Sequence, residues 1–226
     1  MLLAIDTATQ ILSIALHDGD ELRAECSLSA GRQHSALLAP MIKQIMTQIE
    51  VNTGDLTALA VAIGPGSYTG LRIGVALAKG MAAVNDLPLV PATTLDIAAA
   101  AQDGRSSDET LIATVPAGRN RAIWAEYLRQ SGHWRERRPA QISSWPELLA
   151  GCSRPGLISG EITGTGLKAI RDAQKSGDRI RLLPAAERLR RAGYLAEIAW
   201  RRLRGSEAHR PFPADQVMPI YLKSPG

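Results

Sequence analysis

The sequence predicts an α/β fold in which one lobe of strands and helices is followed by a second, reduced copy. Its 226 residues, of which 45% are hydrophobic, suffice for one sizeable core or two smaller ones. Apolar runs of strand length alternate with segments of helical periodicity, and a polar stretch over residues 103–109 interrupts the pattern. We therefore place the first lobe at residues 1–104 and the second at residues 105–226.

The first lobe begins with three predicted strands. Apolar runs at residues 2–5, 11–16 and 21–28 are separated by short polar turns, which favours an antiparallel meander. Apolar residues then recur at helical spacing over residues 33–49 and predict a long amphipathic helix. The lobe continues with a buried strand, a glycine-rich loop, a helix of small residues, a short strand and a final helix, at residues 59–63, 64–70, 71–84, 89–91 and 94–101.

The second lobe repeats this order more loosely. We expect two strands, a short helix, a strand, a long helix and an extended proline-rich tail, at residues 110–115, 122–128, 145–149, 157–159, 187–203 and 211–226. Three strands, a helix, a strand, a helix and another strand is the order of the actin-like, ribonuclease H-like architecture. The first lobe should therefore contain a mixed five-stranded sheet flanked by helices.

The strongest motif is the glycine-rich loop from Gly64 to Gly70, which joins a buried strand to a helix. A loop of this composition can offer backbone amides to an anion. It lacks the Lys-Ser or Lys-Thr pair of a Walker loop, and its spacing differs by one residue from the dinucleotide-binding pattern. Two interpretations stay open: a structural turn whose glycines allow close packing, and a ligand contact.

A row of small residues follows this loop. Gly70, Gly74, Ala78 and Ala82 recur every four residues and leave one helix face almost without side chains. Another helix can approach such a face closely, and the stripe of residues 33–49 is the candidate neighbour, on this chain or on a partner. The pattern favours an interface used for self-association and for a partner, and the alternative is that this face packs in the core of the chain.

The turn after the first strand has a different pattern. Asp6, Thr7 and Thr9 lie where actin-like ATPases place an acidic residue and a phosphate-binding turn. Ala8 replaces the usual glycine there, so the backbone cannot approach a phosphate as closely. We expect a vestigial nucleotide turn, and the alternative is that Asp6 caps the hairpin.

Histidines and cysteines predict no metal site. No histidine has a partner at four-residue spacing, and Leu38 stands where a second ligand after His34 would be. Cys26 and Cys152 stand alone, which suits a reducing compartment.

The net charge of +4 owes much to arginines in the last third of the chain. A solvated face of one long helix is the simpler interpretation, and direct binding of nucleic acid is the alternative. The arginines in question are Arg188, Arg190, Arg191, Arg201, Arg202 and Arg204.

Residues 64–80, together with the opening run from Leu3 to Thr9, closely resemble the TsaB family, also called YeaZ. Further resemblances to this family lie at residues 34–46, 124–127 and 219–222, so most of the chain is covered, the first half best. Residues 116–121 depart from the family, which usually has an acidic segment there.

The resemblance implies an actin-like fold without a working active site. It implies dimerisation with the catalytic paralogue TsaD and support of threonylcarbamoyl transfer from threonylcarbamoyl-AMP to the adenosine next to the anticodon of tRNA. It further implies an ATPase subunit, TsaE, indirect contact with tRNA, a homodimer when the chain is alone, and no resident cofactor or metal. An ATP or ADP at the partner interface stays open.

On this basis we expect the partner interface to comprise His34, Leu38, Met41, Ile42, Ile45, Gly64, Pro65, Gly66, Ser67, Tyr68, Thr69, Gly70, Arg72, Gly74 and Ala78. The alternative function is a catalytic actin-like protein, an ATPase or a peptidase, with Asp6 and the loop 64–70 as its site. No apolar run approaches the ~20 residues of a membrane helix, and the first residues lack the basic region of a signal peptide. We expect a cytoplasmic protein that is neither exported nor anchored.

Overall fold

The computed structural model describes residues 1–104, 108–118, 120–152, 155–205 and 213–222. Some predictions concern positions outside the described residues, namely His209, residue 119 within the segment 116–121, residues 105–107 of the predicted lobe boundary, and both ends of the tail 211–226.

A first sheet contains five strands, which are β1 (Leu2–Asp6), β2 (Ile11–His17), β3 (Leu22–Ser29), β4 (Ala58–Ala62) and β5 (Leu89–Ala92). Their order in the sheet is β3-β2-β1-β4-β5. The first three strands pair antiparallel, and β1, β4 and β5 pair parallel. Every residue of β1 and β4 is buried, as expected for central strands covered on both faces.

Helices α1 (His34–Gln48) and α2 (Tyr68–Asn85) cover one face of this sheet. Helix α2 begins before the predicted residue 71, because Ser67 caps it and its Oγ accepts a hydrogen bond from the Gly70 amide at 3.2 Å. The helix ends where Asp86 adopts left-handed backbone, with φ of 50°. A short helix α3 (Thr94–Ala100) follows β5.

Helix α6 (Ala192–Arg204) covers the opposite face of the same sheet. Side chains alternate along β2, so that Leu12 and Ile14 enter the core beneath α1 and α2 while Ser13 faces α6. The Ser13 Oγ accepts a hydrogen bond from the Ala192 amide at 2.8 Å.

The start of α6 is fixed by side chains that are distant in sequence. Besides Ser13, Glu25 of β3 accepts a hydrogen bond through its Oε1 from the Gly193 amide at 2.7 Å. These bonds satisfy amides that have no partner within the helix. The helix therefore begins at Ala192, later than the predicted residue 187.

The chain divides into two compact units, and the first unit contains both Met1–Ile97 and Arg191–Tyr221. The second unit is built on Ala98–Arg190. The predicted division assigned everything after residue 104 to the second lobe. The difference arises because α6 packs on β1 and β2, and because residues near the C-terminus pack against α2.

The elements of the second unit are β6 (Thr110–Pro116), β7 (Arg121–Gln130), β8 (His133–Ser144), α4 (Trp145–Ala150), β9 (Gly156–Gly160), α5 (Gly164–Lys175) and β10 (Ile180–Leu182). Its five strands form a mixed sheet of order β10-β9-β6-β7-β8. The predicted α/β fold class is confirmed, and the second copy is fuller than expected.

Helix α5 escaped prediction because its apolar residues are sparse and it begins with glycine. Gly166 of this helix is required by close packing, because a Cβ at this position would lie 2.3 Å from the Cε2 atom of Trp145. The helix therefore rests directly on the buried indole ring. Within the described ranges, no helix has the length and apolar character needed to cross a membrane.

Candidate protein interface

The turn after β1 and the glycine-rich loop before α2 lock together. The Ser67 amide donates a hydrogen bond to the Ala8 carbonyl oxygen at 2.6 Å, and a Cβ on Gly66 would lie 2.0 Å from that same oxygen. Thr7 Oγ1 donates to the carbonyl oxygen of Gly70 at 2.8 Å. The loop thus makes a backbone contact that a side chain would block, which supports its interpretation as a structural turn.

The predicted nucleotide turn is buried. Asp6, Thr7 and Thr9 are 1%, 0% and 6% exposed. The Ala8 amide donates to Asp6 Oδ1 at 2.9 Å, so this amide is used within the turn and is not offered to a ligand. Asp6 therefore caps its own turn, the simpler of the two interpretations.

The row of small residues along α2 packs inside the first unit. Gly70, Gly74, Ala78 and Ala82 are all buried. A Cβ on Gly74 would lie 2.2 Å from Thr7 Oγ1, so the close neighbour that this face requires is the turn after β1. This corrects the prediction that the row forms a bare face for a second helix.

Most other residues predicted for the partner interface are also buried in the first unit. They are His34, Leu38, Met41, Ile42 and Ile45 on α1, and Gly64 and Pro65 in the loop. Gly66 is half-buried, and the exposed members are Ser67, Tyr68, Thr69 and Arg72. The interface stays a prediction, but the structure changes which residues can form it.

The outward side of α2 carries its own small residues. Tyr68, Arg72, Ala76, Gly80 and Val84 recur every four residues and are all exposed, and we call them the outer row. Nothing in the described chain lies within 4 Å of a Cβ built on Gly80. A glycine inside a helix costs about 1 kcal/mol relative to alanine, and no contact within the described chain offsets that cost here.

A groove of about 340 Å³ lies between α1 and α2, beside the outer row. Its apolar lining includes Ile42 and Met46 from α1 and Leu77 and Met81 from α2. Neither helix contains Asp or Glu, whereas they carry the three cations Lys43, Arg72 and Lys79. The two helices therefore contribute apolar side chains and positive charge to this surface.

A C-terminal segment borders α2 on the side away from the groove. Lys79 Nζ donates hydrogen bonds to the carbonyl oxygens of Asp215 and Val217, at 3.0 and 3.2 Å. Val217 is 5% exposed and belongs to the core of the first unit. The Ile220 amide donates to the Ile63 carbonyl oxygen at 2.7 Å, so the segment is held at several points.

Aromatic rings join this segment to the start of α2. The ring centroids of Tyr68 and Tyr221 are 5.0 Å apart, and the guanidinium of Arg72 lies 5.2 Å from the Tyr68 ring centroid. Arg72 also donates a hydrogen bond to the Tyr68 hydroxyl.

The arginines of the last third engage their own chain. Arg190 is 1% exposed, and its Nη1 donates to Glu161 Oε1 at 2.6 Å. Arg202 donates to the carbonyl oxygen of Pro91. Arg188, Arg190 and Arg191 precede α6, so the prediction that all these arginines line one solvated helix face is corrected.

The isolated cysteines and histidines lie in different settings. Cys26 is exposed, whereas burial raises the pKa of the Cys152 thiol to about 11. His34 is 4% exposed, and its Nε2 has no hydrogen-bond partner. No group of three or more His, Cys, Asp or Glu in the described part of the chain is arranged to hold a metal ion.

The exposed residues Ala76, Gly80 and Val84 were not among the predicted interface residues. The available signal was their four-residue spacing, which also characterises the buried row. Spacing alone does not say which row faces the sheet.

Comparison with known proteins adds to this geometry. Residues 28–223 match the family model described as TsaD: tRNA N6-adenosine threonylcarbamoyltransferase. The chain is 36% identical to the tRNA threonylcarbamoyladenosine biosynthesis protein TsaB of Escherichia coli over 194 residues, which cover 82% of each chain. It is 33% identical to TsaB of Bacillus subtilis, covering 76% of this chain and 75% of that protein.

Among solved structures, the fold is similar to an uncharacterised Pseudomonas aeruginosa protein described as similar to the peptidase YeaZ. The TM-score is 0.79 at 23% identity, with 98% of this chain and 99% of that chain covered. This likeness over nearly the whole chain agrees with the α/β fold described above. The chain therefore belongs to the TsaB family, within the wider group described by the threonylcarbamoyltransferase model.

Proposed function

We propose that this chain is a non-catalytic accessory subunit in tRNA threonylcarbamoyladenosine biosynthesis and pairs with a TsaD-type transferase through the outer row of α2 and the neighbouring groove. The role in threonylcarbamoyladenosine biosynthesis is supported by the membership of this chain in the TsaB family. Pairing through α2 rests on one observation: Gly80 is exposed in mid-helix, with open space around its Cβ position. Because Gly80 has no side chain, a partner helix could pack closely against α2 at this position.

Charge favours a different protein over a second copy as the partner. Both helices lack acidic residues, so two copies joined through this surface would oppose cations to cations. An acidic and apolar surface on the transferase would complement it. We expect the homodimer of the isolated chain to use the same surface and to be weaker than the heterodimer.

The turn after β1 supports an accessory role. Its Ala8 amide is bonded to Asp6, and its Ala8 carbonyl oxygen is bonded to Ser67. A nucleotide-hydrolysing site would need groups free to contact a phosphate there. We propose that the chain itself performs no chemistry, that the ATPase TsaE joins the complex, and that tRNA and any ATP or ADP are bound together with the partners.

Omitting one subunit at a time tests this proposal. Purified chain, cognate TsaD and TsaE are mixed with unmodified tRNA and threonylcarbamoyl-AMP, and threonylcarbamoyladenosine is measured by mass spectrometry of digested tRNA. We expect no product from this chain alone and much less product when it is omitted.

The catalytic alternative predicts another result. Hydrolysis of ATP or a peptide by the isolated chain, lost in Asp6→Ala and retained in Asp20→Ala, would overturn the accessory role. Asp20 is a suitable control because its side chain is 91% exposed. Melting temperatures of both variants separate lost chemistry from lost folding.

A further inference from the structure

We infer that residues 217–221 form part of the partner-binding surface and that Arg72, held by Tyr68 beside Tyr221, binds a carboxylate of the partner. The inference rests on the proposed pairing with the transferase and extends that interface across α2. The outward side of α2 has α1 and the groove on one flank and the C-terminal segment on the other. A partner that covers the outer row therefore reaches both.

Large apolar side chains are concentrated at this end of the surface. Tyr68 is 57% exposed, Met218 65%, Ile220 37% and Tyr221 46%. Tyr68 contacts Tyr221, and Met218 and Ile220 lie in the same short segment as Tyr221. Groups of exposed apolar side chains mark interaction sites, and Tyr, Met and Arg are enriched at protein interfaces. The patch is also rigid, since the segment is bonded to Lys79 and to the carbonyl oxygen of Ile63. Little conformational entropy would be lost on binding.

Arg72 is prepared for an anionic partner. Its guanidinium carbon lies 5.2 Å from the Tyr68 ring centroid, the group donates to the Tyr68 hydroxyl, and no carboxylate in the described chain pairs with it. The contact with Tyr68 orients the planar group, and its other N–H groups can donate to a carboxylate. Neighbouring Lys79 is occupied by two carbonyl oxygens.

The chemistry of the patch favours a protein over RNA. Single-stranded RNA sites combine stacking rings with several cations along the backbone path. Among the described residues of the patch, the cation Arg72 accompanies the aliphatic side chains of Met218 and Ile220, and Arg72 already contacts the Tyr68 ring. An acidic, apolar segment of the transferase fits this combination better.

Affinity for cognate TsaD tests the inference. Calorimetric titrations compare the unaltered chain with Arg72→Met, Tyr221→Ser and Met218→Ser. We expect each substitution to weaken binding about tenfold, and Arg72→Met to reduce the dependence of affinity on salt concentration. Met218→Ser is the variant that should least disturb folding, because Met218 is 65% exposed.

Control variants lie away from the patch. Leu22→Ser removes a hydrophobic side chain that is 44% exposed on β3, and Arg171→Met removes an exposed cation of α5. Neither should change the affinity. Equal losses in the control variants and the patch variants would overturn the inference.

Ala76→Glu in the outer row separates the inference from the proposed function. If Ala76→Glu abolishes pairing while the patch variants bind TsaD normally, the pairing stands and the inference fails. If Ala76→Glu also binds normally, the proposed interface fails. Patch variants that bind TsaD normally but reduce tRNA binding by the assembled complex would overturn the inference in favour of an RNA site.

Discussion

Gly74 and Gly80 lie in the same helix but serve opposite sides of it. A Cβ on Gly74 would lie 2.2 Å from Thr7 Oγ1, whereas a Cβ on Gly80 would meet nothing within 4 Å. The first glycine is required by the fold of this chain. The second has no such requirement in the described chain, which is why we assign it to a partner. Glycine is thus required at position 74 by a neighbour within the chain, whereas at position 80 we propose that a partner requires it.

Alanine at Gly74 should cause the largest effect. The added methyl would collide with Thr7, whose Oγ1 is committed to the carbonyl oxygen of Gly70. We expect Gly74→Ala to lower the free energy of unfolding by about 1–3 kcal/mol, despite the better helix propensity of alanine. Urea denaturation measures this change. Unchanged or increased stability would place Gly74 outside the core.

A double-mutant cycle with Thr7 sharpens the contrast. Thr7→Ala removes the colliding oxygen and a buried hydrogen bond, so alone it should cost about 1 kcal/mol. Gly74→Ala should then cost clearly less in the Thr7→Ala background than in the unaltered chain. Additive losses would show that the clash is not with Thr7.

Alanine at Gly80 should change the free energy of unfolding in the opposite direction. Gly80→Ala should raise the free energy of unfolding by up to about 1 kcal/mol, because the helix gains propensity without a clash. It should also weaken pairing with TsaD, since a methyl group would separate the two helices. Denaturation and titration of one protein sample test both parts. Lower stability would contradict the open environment of Gly80.

The two cysteines differ in exposure and should therefore differ in their rates of alkylation. Burial raises the pKa of Cys152 to about 11, so its reactive thiolate is scarce at pH 8. Alkylation by iodoacetamide should modify exposed Cys26 first. The rate at Cys152 should rise about tenfold per pH unit below that pKa while the chain stays folded. Mass spectrometry of the alkylated peptides measures both rates, and equal rates at pH 8 would contradict the raised pKa of the partly buried Cys152.

Periodicity predicted much of the first unit because its strands and helices have strong, regular patterns. The alternation in β2 and the stripe of α1 each place apolar residues on one side. The start of α6 was not predictable in this way. It depends on Ser13 and Glu25, which lie far from Ala192 in sequence and reach it only in the folded chain.

The candidate site was harder to predict than the fold. The sequence indicated that α2 has closely packed faces, but the buried and exposed rows differ only in what lies beside them. Gly70 and Gly74 meet Thr7, which is more than 60 residues earlier in the chain. The contact between Tyr221 and Tyr68 was equally unpredictable, because it depends on the return of the C-terminal segment to the first unit.

The most direct measurement is the rate of threonylcarbamoyladenosine formation by cognate TsaD and TsaE as this chain is added. We predict that the unaltered chain stimulates the reaction in a saturable manner. Ala76→Glu, with an unchanged melting temperature, should give no stimulation at the same concentrations. Full activity of TsaD without this chain, or equal stimulation by folded Ala76→Glu, would contradict an accessory subunit that acts through the outer row of α2.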